Sequence, residues 1–301
     1  MPVHLPSQTR REFLVTLGVG VFACSTTAFG EERAVEEDVV YLVNDPHIGE
    51  RQATDSPVPS HFRQVVAELV ERKRKPAFVL INGDLAAKNG QPGDYRHFAR
   101  LLQPLRDAKI DTHLTMGNHD NRKTFWEVLR EEQPKSPAVE SRQIAIVETR
   151  HANFFLLDSL KETMVTPGTL GQQQRDWLAA ALDERKNKPA IVVAHHNPRL
   201  GGDPLHFPGG LTDSEELWQV FAKRQHVKAY VHGHIHDRSL AAHQGIHIVN
   251  TPATSYVANP SQSTTGWTIA RLTAGGMTLE TRTTDPQHSW NGEKKTIEWR
   301  T

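Results

Sequence analysis

The sequence predicts an α/β protein in which two packed β-sheets are flanked by helices. Two patterns support this fold class. Apolar runs rich in valine and isoleucine alternate with segments of helical spacing along much of the chain, and several short strand-like runs follow one another toward the C-terminus. The apolar runs are continuous rather than alternating, which is typical of strands buried on both faces. At 301 residues the chain is long enough to bury a large core as one domain.

Residues 1–30 have the composition of a secretory signal peptide. Arg10 and Arg11 precede an apolar run, which gives way to small and polar residues before Gly30. The run is too short to span a membrane, and paired arginines before Phe-Leu are similar to the twin-arginine type of signal. We therefore expect a periplasmic or secreted protein.

Cys24 is the only cysteine in the chain, and it lies inside this segment. Cleavage after Gly30 would leave a mature chain without cysteine, whereas lipid attachment at Cys24 would leave an anchored one. Both alternatives stay open. We expect a linker over residues 31–37, a single domain over residues 38–285 and a C-terminal tail over residues 286–301.

The elements of the domain follow from the spacing of apolar residues. Buried strands are predicted at 39–43, 77–81, 112–116, 190–194 and 229–231, and helices at 61–75, 95–107, near 125–129, at 172–184 and around 214–221. Two neighbouring strands, at 144–147 and 153–158, are expected to pair antiparallel. Further strands are predicted at 240–242, 246–250, 267–272 and 277–281. The segment 197–211, rich in glycine and proline, is predicted to be a loop that covers the site.

Each of the five predicted buried strands is followed by side chains that can bind a metal. In chain order these are Asp45 and His47, Asp84, Asn118 and His119, His195 and His196, and His234 and His236. In α/β sheets ligands bind outside the carboxyl ends of the strands. We therefore expect these side chains to assemble into one metal site.

Taken in order, the motifs Asp-x-His, Gly-Asp, Gly-Asn-His-Asp, His-His and Gly-His-x-His resemble those of the calcineurin-like metallophosphoesterase superfamily, over residues 38–254. They look most like the bacterial cyclic-nucleotide and glycerophosphodiester phosphodiesterases. Asn197 stands where those enzymes usually carry a further proline, which leaves the subfamily open. The resemblance implies a four-layer αββα sandwich of two mixed β-sheets flanked by helices, with two metal ions at the strand ends.

The resemblance also implies roles for individual residues. Asp84 would bridge the ions, and His119 would stand over the substrate phosphate without binding metal. The remaining ligands would be Asp45, His47 and His236 for one ion, and Asn118, His195 and His234 for the other. A carboxylate can offer one oxygen to each ion, and a mixed nitrogen and oxygen shell leaves Fe, Mn, Zn and Co open. Asn118 and His119 would also contact substrate, with His196, Arg122 and Arg199 as further candidates; either arginine could equally be an ordinary surface residue.

The function expected from these residues is that of an exported, metal-dependent phosphoesterase. It would hydrolyse phosphodiesters by in-line attack of a hydroxide that bridges the two divalent ions. A phosphomonoesterase and a non-catalytic exported metal-binding protein are the alternatives. The 35 basic residues balance the 35 acidic ones, so the expected partner is a small phosphate ester rather than bulk nucleic acid. No transmembrane segment is expected in the mature chain, and the oligomeric state stays open.

Overall fold

The computed structural model describes residues 33–200 and 209–301. Residues Val35–Thr301 form one compact unit. Residues 1–30 with Cys24, where a signal peptide is expected, and residues 201–208 of the loop expected to cover the site lie outside the described residues.

The first sheet combines three parallel strands from the N-terminal half with an antiparallel meander from the C-terminus. Its strand order is β12-β11-β10-β1-β2-β3, where β1, β2 and β3 run parallel. The strands are β1 (Val35–Asn44), β2 (Lys75–Asn82), β3 (Thr112–Thr115), β10 (Gly266–Leu272), β11 (Gly276–Thr283) and β12 (Lys294–Glu298). The carboxyl ends of the three parallel strands therefore meet at one edge of the sandwich.

The second sheet has the order β4-β5-β6-β7-β9-β8, with β5, β6, β7 and β9 parallel. Its strands are β4 (Ala145–Glu148), β5 (Asn153–Leu156), β6 (Ala190–Val193), β7 (Val227–His232), β8 (Ser239–His243) and β9 (Ile246–Asn250). The antiparallel pairing of β4 with β5 confirms the prediction for this region.

Helices cover the outer face of each sheet, which confirms the four-layer sandwich. The helices are α1 (Pro57–Glu71), α2 (Pro92–Asp107), α3 (Arg122–Val128), α4 (Gln172–Glu184) and α5 (Ser214–Ala222). One core joins α1, α2 and α3 to the first sheet, a second lies between the sheets, and a third joins α4 and α5 to the second sheet. None of the helices in the described part of the chain combines the length and apolarity that crossing a membrane requires.

The domain is longer at both ends than the boundaries expected from sequence. β1 already begins at Val35, inside the segment assigned to a linker, and β12 lies inside the segment assigned to a tail. β12 pairs antiparallel with β11, and Ile297 and Trp299 are buried in the core between the sheets. The charged residues around Ile297 hide this strand in the sequence, because an edge strand buries only alternate side chains.

Candidate metal centre

The metal-capable side chains lie just past the carboxyl ends of parallel strands from both sheets. Several of these residues have left-handed backbone conformations, which non-glycine residues seldom adopt. The φ angles are 52° at Asp45, 48° at His47, 48° at Asp84, 70° at His234 and 51° at His236. Such turns directly after a strand allow two residues of one loop to reach the same site. Strained backbone of this kind is concentrated at functional sites in proteins.

One cluster consists of Asp45, His47, Asp84 and His236, all buried, with ligand atoms within 4.8 Å of one another. The Nε2 atoms of His47 and His236 are 3.0 Å apart. His47 Nε2 lies 3.4 Å from Asp84 Oδ2, and His236 Nε2 lies 3.5 Å from Asp45 Oδ1. Imidazole nitrogens this close to each other and to carboxylates form a donor set suited to a divalent cation.

A second cluster consists of Asp84, His195 and His234. His195 Nε2 lies 3.3 Å from Asp84 Oδ2, the same oxygen that faces His47 in the first cluster. Asp84 therefore belongs to both clusters, as a carboxylate that bridges two ions would. Each cluster draws on both sheets, since Asp45, His47 and Asp84 follow strands of the first sheet and the other histidines follow strands of the second.

Backbone carbonyls fix the orientation of three of these imidazoles. His195 Nδ1 lies 3.0 Å from the Asn82 carbonyl, His236 Nδ1 lies 2.8 Å from the Tyr256 carbonyl, and His234 Nε2 lies 3.1 Å from that of Gly209. A ring nitrogen that donates to a carbonyl carries the proton, so the other nitrogen of the same ring offers a lone pair. Metal-binding histidines are held in this way in known sites.

Asn118 lies between Gly117 and His119, both of which lie against Asp84. Its side-chain oxygen is buried and accepts no hydrogen bond from the described residues, and His195 Nε2 faces the carboxylates of Asp84 and Asp45 at 3.3 and 3.8 Å. Buried polar atoms in native proteins almost always have a partner. The Asn118 oxygen therefore fits the requirements of a bound cation.

The histidines of the centre differ in the direction in which their surroundings shift the pKa. Burial lowers the pKa of His47 and of His234 to about 3, so both are neutral. Burial would also lower the pKa of His195, but the charges of Asp84 and Asp45 outweigh it and raise that pKa to about 10. The pKa of Asp84 is held well below its usual range by the histidines, of which His195 has the largest effect, against the opposing effect of burial. A bound cation would compete with protons for these histidines, because metal ligation requires an unprotonated imidazole nitrogen.

Two glycines allow the loops to approach one another. Gly83 has φ +73°, and a Cβ there would lie 2.6 Å from His195 Cγ. A Cβ on Gly117 would lie 2.7 Å from the carboxylate carbon of Asp84. Any larger residue at the glycine of the Gly-Asp or Gly-Asn-His-Asp motif would thus collide with a side chain of the metal centre.

His119 and Asp120 have different places in the centre. The His119 N–H donates to Asp84 Oδ1 at 2.8 Å, and its partly exposed ring lies edge-on to His47 with ring centroids 4.9 Å apart. Asp120 is buried and accepts hydrogen bonds from the N–H groups of Gly117 at 2.9 Å and Ala86 at 3.1 Å. Asp120 therefore orders the turn, while His119 faces the open side of the centre.

Of the residues expected to contact substrate, His196 lies at the centre but is buried, and Arg199 is exposed. His196 is fully buried, its Nδ1 lies 2.7 Å from Ser159 Oγ, and its ring centroid lies 4.5 Å from that of His234. Burial lowers the pKa of His196 well below its usual value, so it is neutral. His196 thus packs against the candidate ligand His234 as a buried neighbour. Arg199 is exposed at the edge of the residues that are not described.

Arg122 is paired with a carboxylate that belongs to neither ligand cluster. Its Nε and terminal nitrogen contact the two carboxylate oxygens of the buried Asp158 at 2.6 and 2.7 Å. It also donates to the carbonyl of Leu160. A bidentate ion pair of this kind fixes the guanidinium, so Arg122 anchors the loop after β5.

Tyr256 is a residue of the centre that sequence reasoning missed. It lies on the connection between β9 and β10, and its ring stacks on His236 with centroids 4.2 Å apart and an interplanar angle of 29°. Burial raises the pKa of its hydroxyl to about 12, so it stays protonated. No motif or spacing marks this residue; its place on a long connection is the only signal.

Comparisons with known proteins agree with this geometry. The model of the calcineurin-like phosphoesterase family matches residues 39–238. A cyclic AMP phosphodiesterase, CpdA, of Escherichia coli K12 is 30% identical over 219 residues, which are 73% of this chain and 75% of that protein. The CpdA of Vibrio vulnificus is 28% identical over 222 residues, covering 71% of this chain and 77% of the relative.

Solved structures resemble the chain in fold. A dimetal phosphatase from Danio rerio aligns with a TM-score of 0.67 at 16% identity, covering 87% of this chain and 99% of that one. The purple acid phosphatase PPD1 of yellow lupin aligns with a TM-score of 0.58 at 17% identity, covering 87% and 53%. Two clusters of metal-capable side chains that share Asp84, on this fold and with this family match, identify the protein as a phosphoric ester hydrolase that belongs to the calcineurin-like phosphoesterase family.

Proposed function

We propose that this protein is an exported phosphodiesterase that works with two divalent metal ions. The observation that carries the proposal is Asp84, whose Oδ2 lies 3.4 Å from His47 and 3.3 Å from His195 and so connects two ligand clusters. The chain aligns with most of the length of relatives that are named as cyclic-nucleotide phosphodiesterases, and this supports a diester substrate.

The donor set fits two ions of intermediate softness, such as Fe, Mn, Zn or Co. Asp45, His47 and His236 would hold one ion, Asn118, His195 and His234 the other, and Asp84 both. Bound there, the ions supply Lewis acidity to the phosphate and make hydroxide available for in-line attack near neutral pH.

The protein's own residues position the substrate and handle protons. The backbone N–H of His119 is bonded to the shared carboxylate of Asp84, and its partly exposed imidazole packs edge-on against His47. From there the imidazole would donate a proton to a phosphoryl oxygen or to the leaving alkoxide. The neutral histidines and the neutral amide of Asn118 add no negative charge to the centre. A negatively charged phosphate is therefore less strongly repelled than it would be by a site made only of carboxylates.

Metal-dependent hydrolysis of bis(p-nitrophenyl) phosphate tests the proposal. We expect activity that a chelator abolishes and that Mn or Zn restores. Asp84→Ala should abolish it and reduce bound metal, because both ions lose a ligand. Asp176→Ala, which removes an exposed carboxylate on α4, is the matched control and should leave both unchanged. Two bound ions without hydrolysis of any phosphate ester would instead favour a metal-binding role.

His119→Ala separates catalysis from metal binding. His119 is in neither cluster of metal-capable groups, so the variant should keep its metal content while kcat falls about a hundredfold or more. Unchanged turnover would remove His119 from the mechanism. The same assay with p-nitrophenyl phosphate decides between diester and monoester, and a strong preference for the monoester would reverse the substrate class.

Export is the further element of the proposal, and the sequence of residues 1–30 supports it. Replacing Arg10 and Arg11 by lysine should hold the protein in the cytoplasm, because twin-arginine signals depend on that pair. The mass of the mature N-terminus distinguishes cleavage after Gly30 from a lipid attached to Cys24. An unprocessed chain that starts at Met1 would argue against export.

A further inference from the structure

Tyr256 presents an aromatic surface beside the metal centre. Its side chain is 49% exposed, and it is among the few large hydrophobic residues with this exposure in the described part of the chain. One face of the ring is stacked on His236, and its centroid lies 5.2 Å from that of His47. An exposed aromatic ring in direct contact with two candidate ligands of one metal lies within reach of whatever that metal binds.

The side chain of Tyr256 is not needed to orient its histidine neighbour. His236 donates from Nδ1 to the main-chain carbonyl of Tyr256, at 2.8 Å. The loop is fixed by further main-chain contacts, since Thr254 N–H donates to the Asn44 carbonyl at 2.9 Å and His61 Nδ1 lies 3.0 Å from the Ser255 carbonyl. The backbone thus holds both the loop and the ligand, which leaves the phenol ring available for another role.

A second exposed apolar residue, Met164, is bonded through its main chain to Asn118. Met164 is 52% exposed, and its N–H donates to the Asn118 carbonyl at 2.7 Å. It is held at φ 67°, a conformation that costs free energy unless the surroundings impose it. Met164 is therefore a second exposed apolar residue bonded directly to a residue of the expected ligand set, and a phosphodiester has two substituents on phosphorus that such residues could contact.

We infer that Tyr256 is a specificity-determining residue that stacks against a planar aromatic substituent of the substrate, such as a nucleobase or an aryl ester. Stacking of a base on an aromatic side chain is favourable and tolerates different ring systems. The inference rests on the proposed diesterase function and adds the chemical class of one substituent. It excludes simple alkyl diesters as preferred ligands.

Equilibrium binding to the Mn-loaded protein tests the inference. Titration calorimetry would compare diphenyl phosphate with dimethyl phosphate, which share the charged phosphate and differ in their planar groups. We expect the wild type to bind the diphenyl ester at least about tenfold more tightly. Tyr256→Leu should lose most of that preference, whereas Tyr256→Phe should keep it because the ring remains.

Kinetics give a second measurement. With bis(p-nitrophenyl) phosphate, Tyr256→Leu should raise KM more than it lowers kcat, and bound metal should stay unchanged because the main-chain carbonyl still orients His236. Leu240→Ala is the control, as it truncates another exposed apolar residue, on β8, and should change none of these quantities.

Failure of the inference is distinguishable from failure of the proposed function. A wild type that hydrolyses diesters but binds both test esters equally, or binds the diphenyl ester immeasurably weakly, would overturn the stacking role. So would a Tyr256→Leu variant that keeps the preference, or one that loses metal and activity together. A wild type that hydrolyses no diester would instead overturn the proposed function itself.

Discussion

Gly83 connects β2 to Asp84 at a point where the chain has no room for a side chain. It combines φ +73° with contact to the buried ring of His195. Gly83→Ala should therefore lower the free energy of unfolding through both backbone strain and collision, by about 2 kcal/mol or more. It should also weaken metal binding, because His195 must move. Denaturant unfolding with chelator present and metal content per chain measure the two effects.

Gly292 provides the matched control for this substitution. It has φ +78°, and no other atom lies within 4 Å of the position of a Cβ. Gly292→Ala should therefore show the backbone strain alone, about 1 kcal/mol, and full metal content. Equal losses in the two variants would show that the contact with His195 contributes nothing.

His232 predicts a pH dependence of stability. Burial lowers its pKa from 6.5 to about 4, although its hydrogen bond to the Gly233 carbonyl opposes this shift. In the unfolded chain the imidazole of His232 binds a proton below about pH 6.5, whereas in the folded chain it binds one only near pH 4. The stability that neutral His232 contributes is thus complete above this window and is lost as pH falls through it.

The size of this effect follows from the two pKa values. Between about pH 7.5 and about pH 5, the wild type should lose about 2 kcal/mol relative to His232→Gln. Both proteins would be unfolded by denaturant in the presence of chelator, so that metal does not contribute. Parallel pH profiles for the two would show that His232 is not neutral in the folded state.

The residues of the metal centre differ in how well sequence could predict them. Asp84, His195 and their neighbours follow buried strands directly, so strand ends and motif order were enough to bring them together in the prediction. Tyr256 follows no such strand, and its stacking on His236 depends on how the β9–β10 connection folds back. Arg122 is close to a motif in sequence, but its partner Asp158 comes from the other sheet, and local spacing carries no information about that contact.

Among the structural elements, the loop after β5 depends on the ion pair between Arg122 and Asp158. Asp158 is fully buried, and besides the guanidinium it accepts the N–H groups of Gln143 at 2.9 Å and Leu160 at 3.1 Å. Asp158→Ala should cost about 3 kcal/mol of unfolding free energy, because it leaves these N–H donors unsatisfied and removes the counter-charge of a partly buried cation. Thermal and denaturant unfolding would measure the loss.

Asp183 offers a control with similar bonding and different burial. It binds Arg224 through both oxygens, at 2.9 and 2.6 Å, but its side chain is 63% exposed. Asp183→Ala should have a much smaller effect, since solvent replaces the lost bonds. Comparable losses from the two variants would contradict the importance of burial.

The elements themselves were predictable where their apolar residues recur at the spacing of a helix or a strand. Helix α4 has the predicted bounds, and β9 does as well. Helix α1 starts earlier than predicted, at Pro57, because proline fits the first turn of a helix and the apolar spacing begins only later. β12 was missed because Ile297 is its only buried residue, too little for a periodic signal.

At the scale of the whole molecule, the C-terminus joins the two sheets. Trp299 packs in the core between them, and the guanidinium of Arg300 donates to the carbonyls of Val227 at 3.0 Å and Arg224 at 3.0 Å. It thereby links the end of the first sheet to β7 and to the carbonyl end of α5, where a cation is favourable.

Arg300→Ala should therefore lower the free energy of unfolding by about 1–2 kcal/mol, because carbonyls beneath the guanidinium lose their donors. Phosphodiesterase activity should be unchanged at temperatures where the protein is folded. Arg271→Ala is the control, since that side chain is 49% exposed and makes a single contact with Glu36 at 3.5 Å. A variant as stable as the control would show that the C-terminus does not tie the sheets together.

The order of layers was predictable because alternating helices and strands with fully apolar runs require both faces of each sheet to be covered. The resemblance to a known family added the four-layer arrangement. The closure of the sandwich by its last residues was not predictable, since it depends on Arg300 reaching main-chain carbonyls, and these carry no sequence signature.

The left-handed backbone at the metal centre has a consequence for how this protein can be engineered. At Asp84 or His236, the side chain that the proposed metal site requires is one that the local conformation disfavours. Replacing such a residue by glycine removes the ligand but also relieves the strain, so part of the lost stability is recovered in the metal-free chain. Selection for thermal stability alone would therefore favour variants that have lost metal ligands. Attempts to stabilise this protein by mutation need a simultaneous screen for activity.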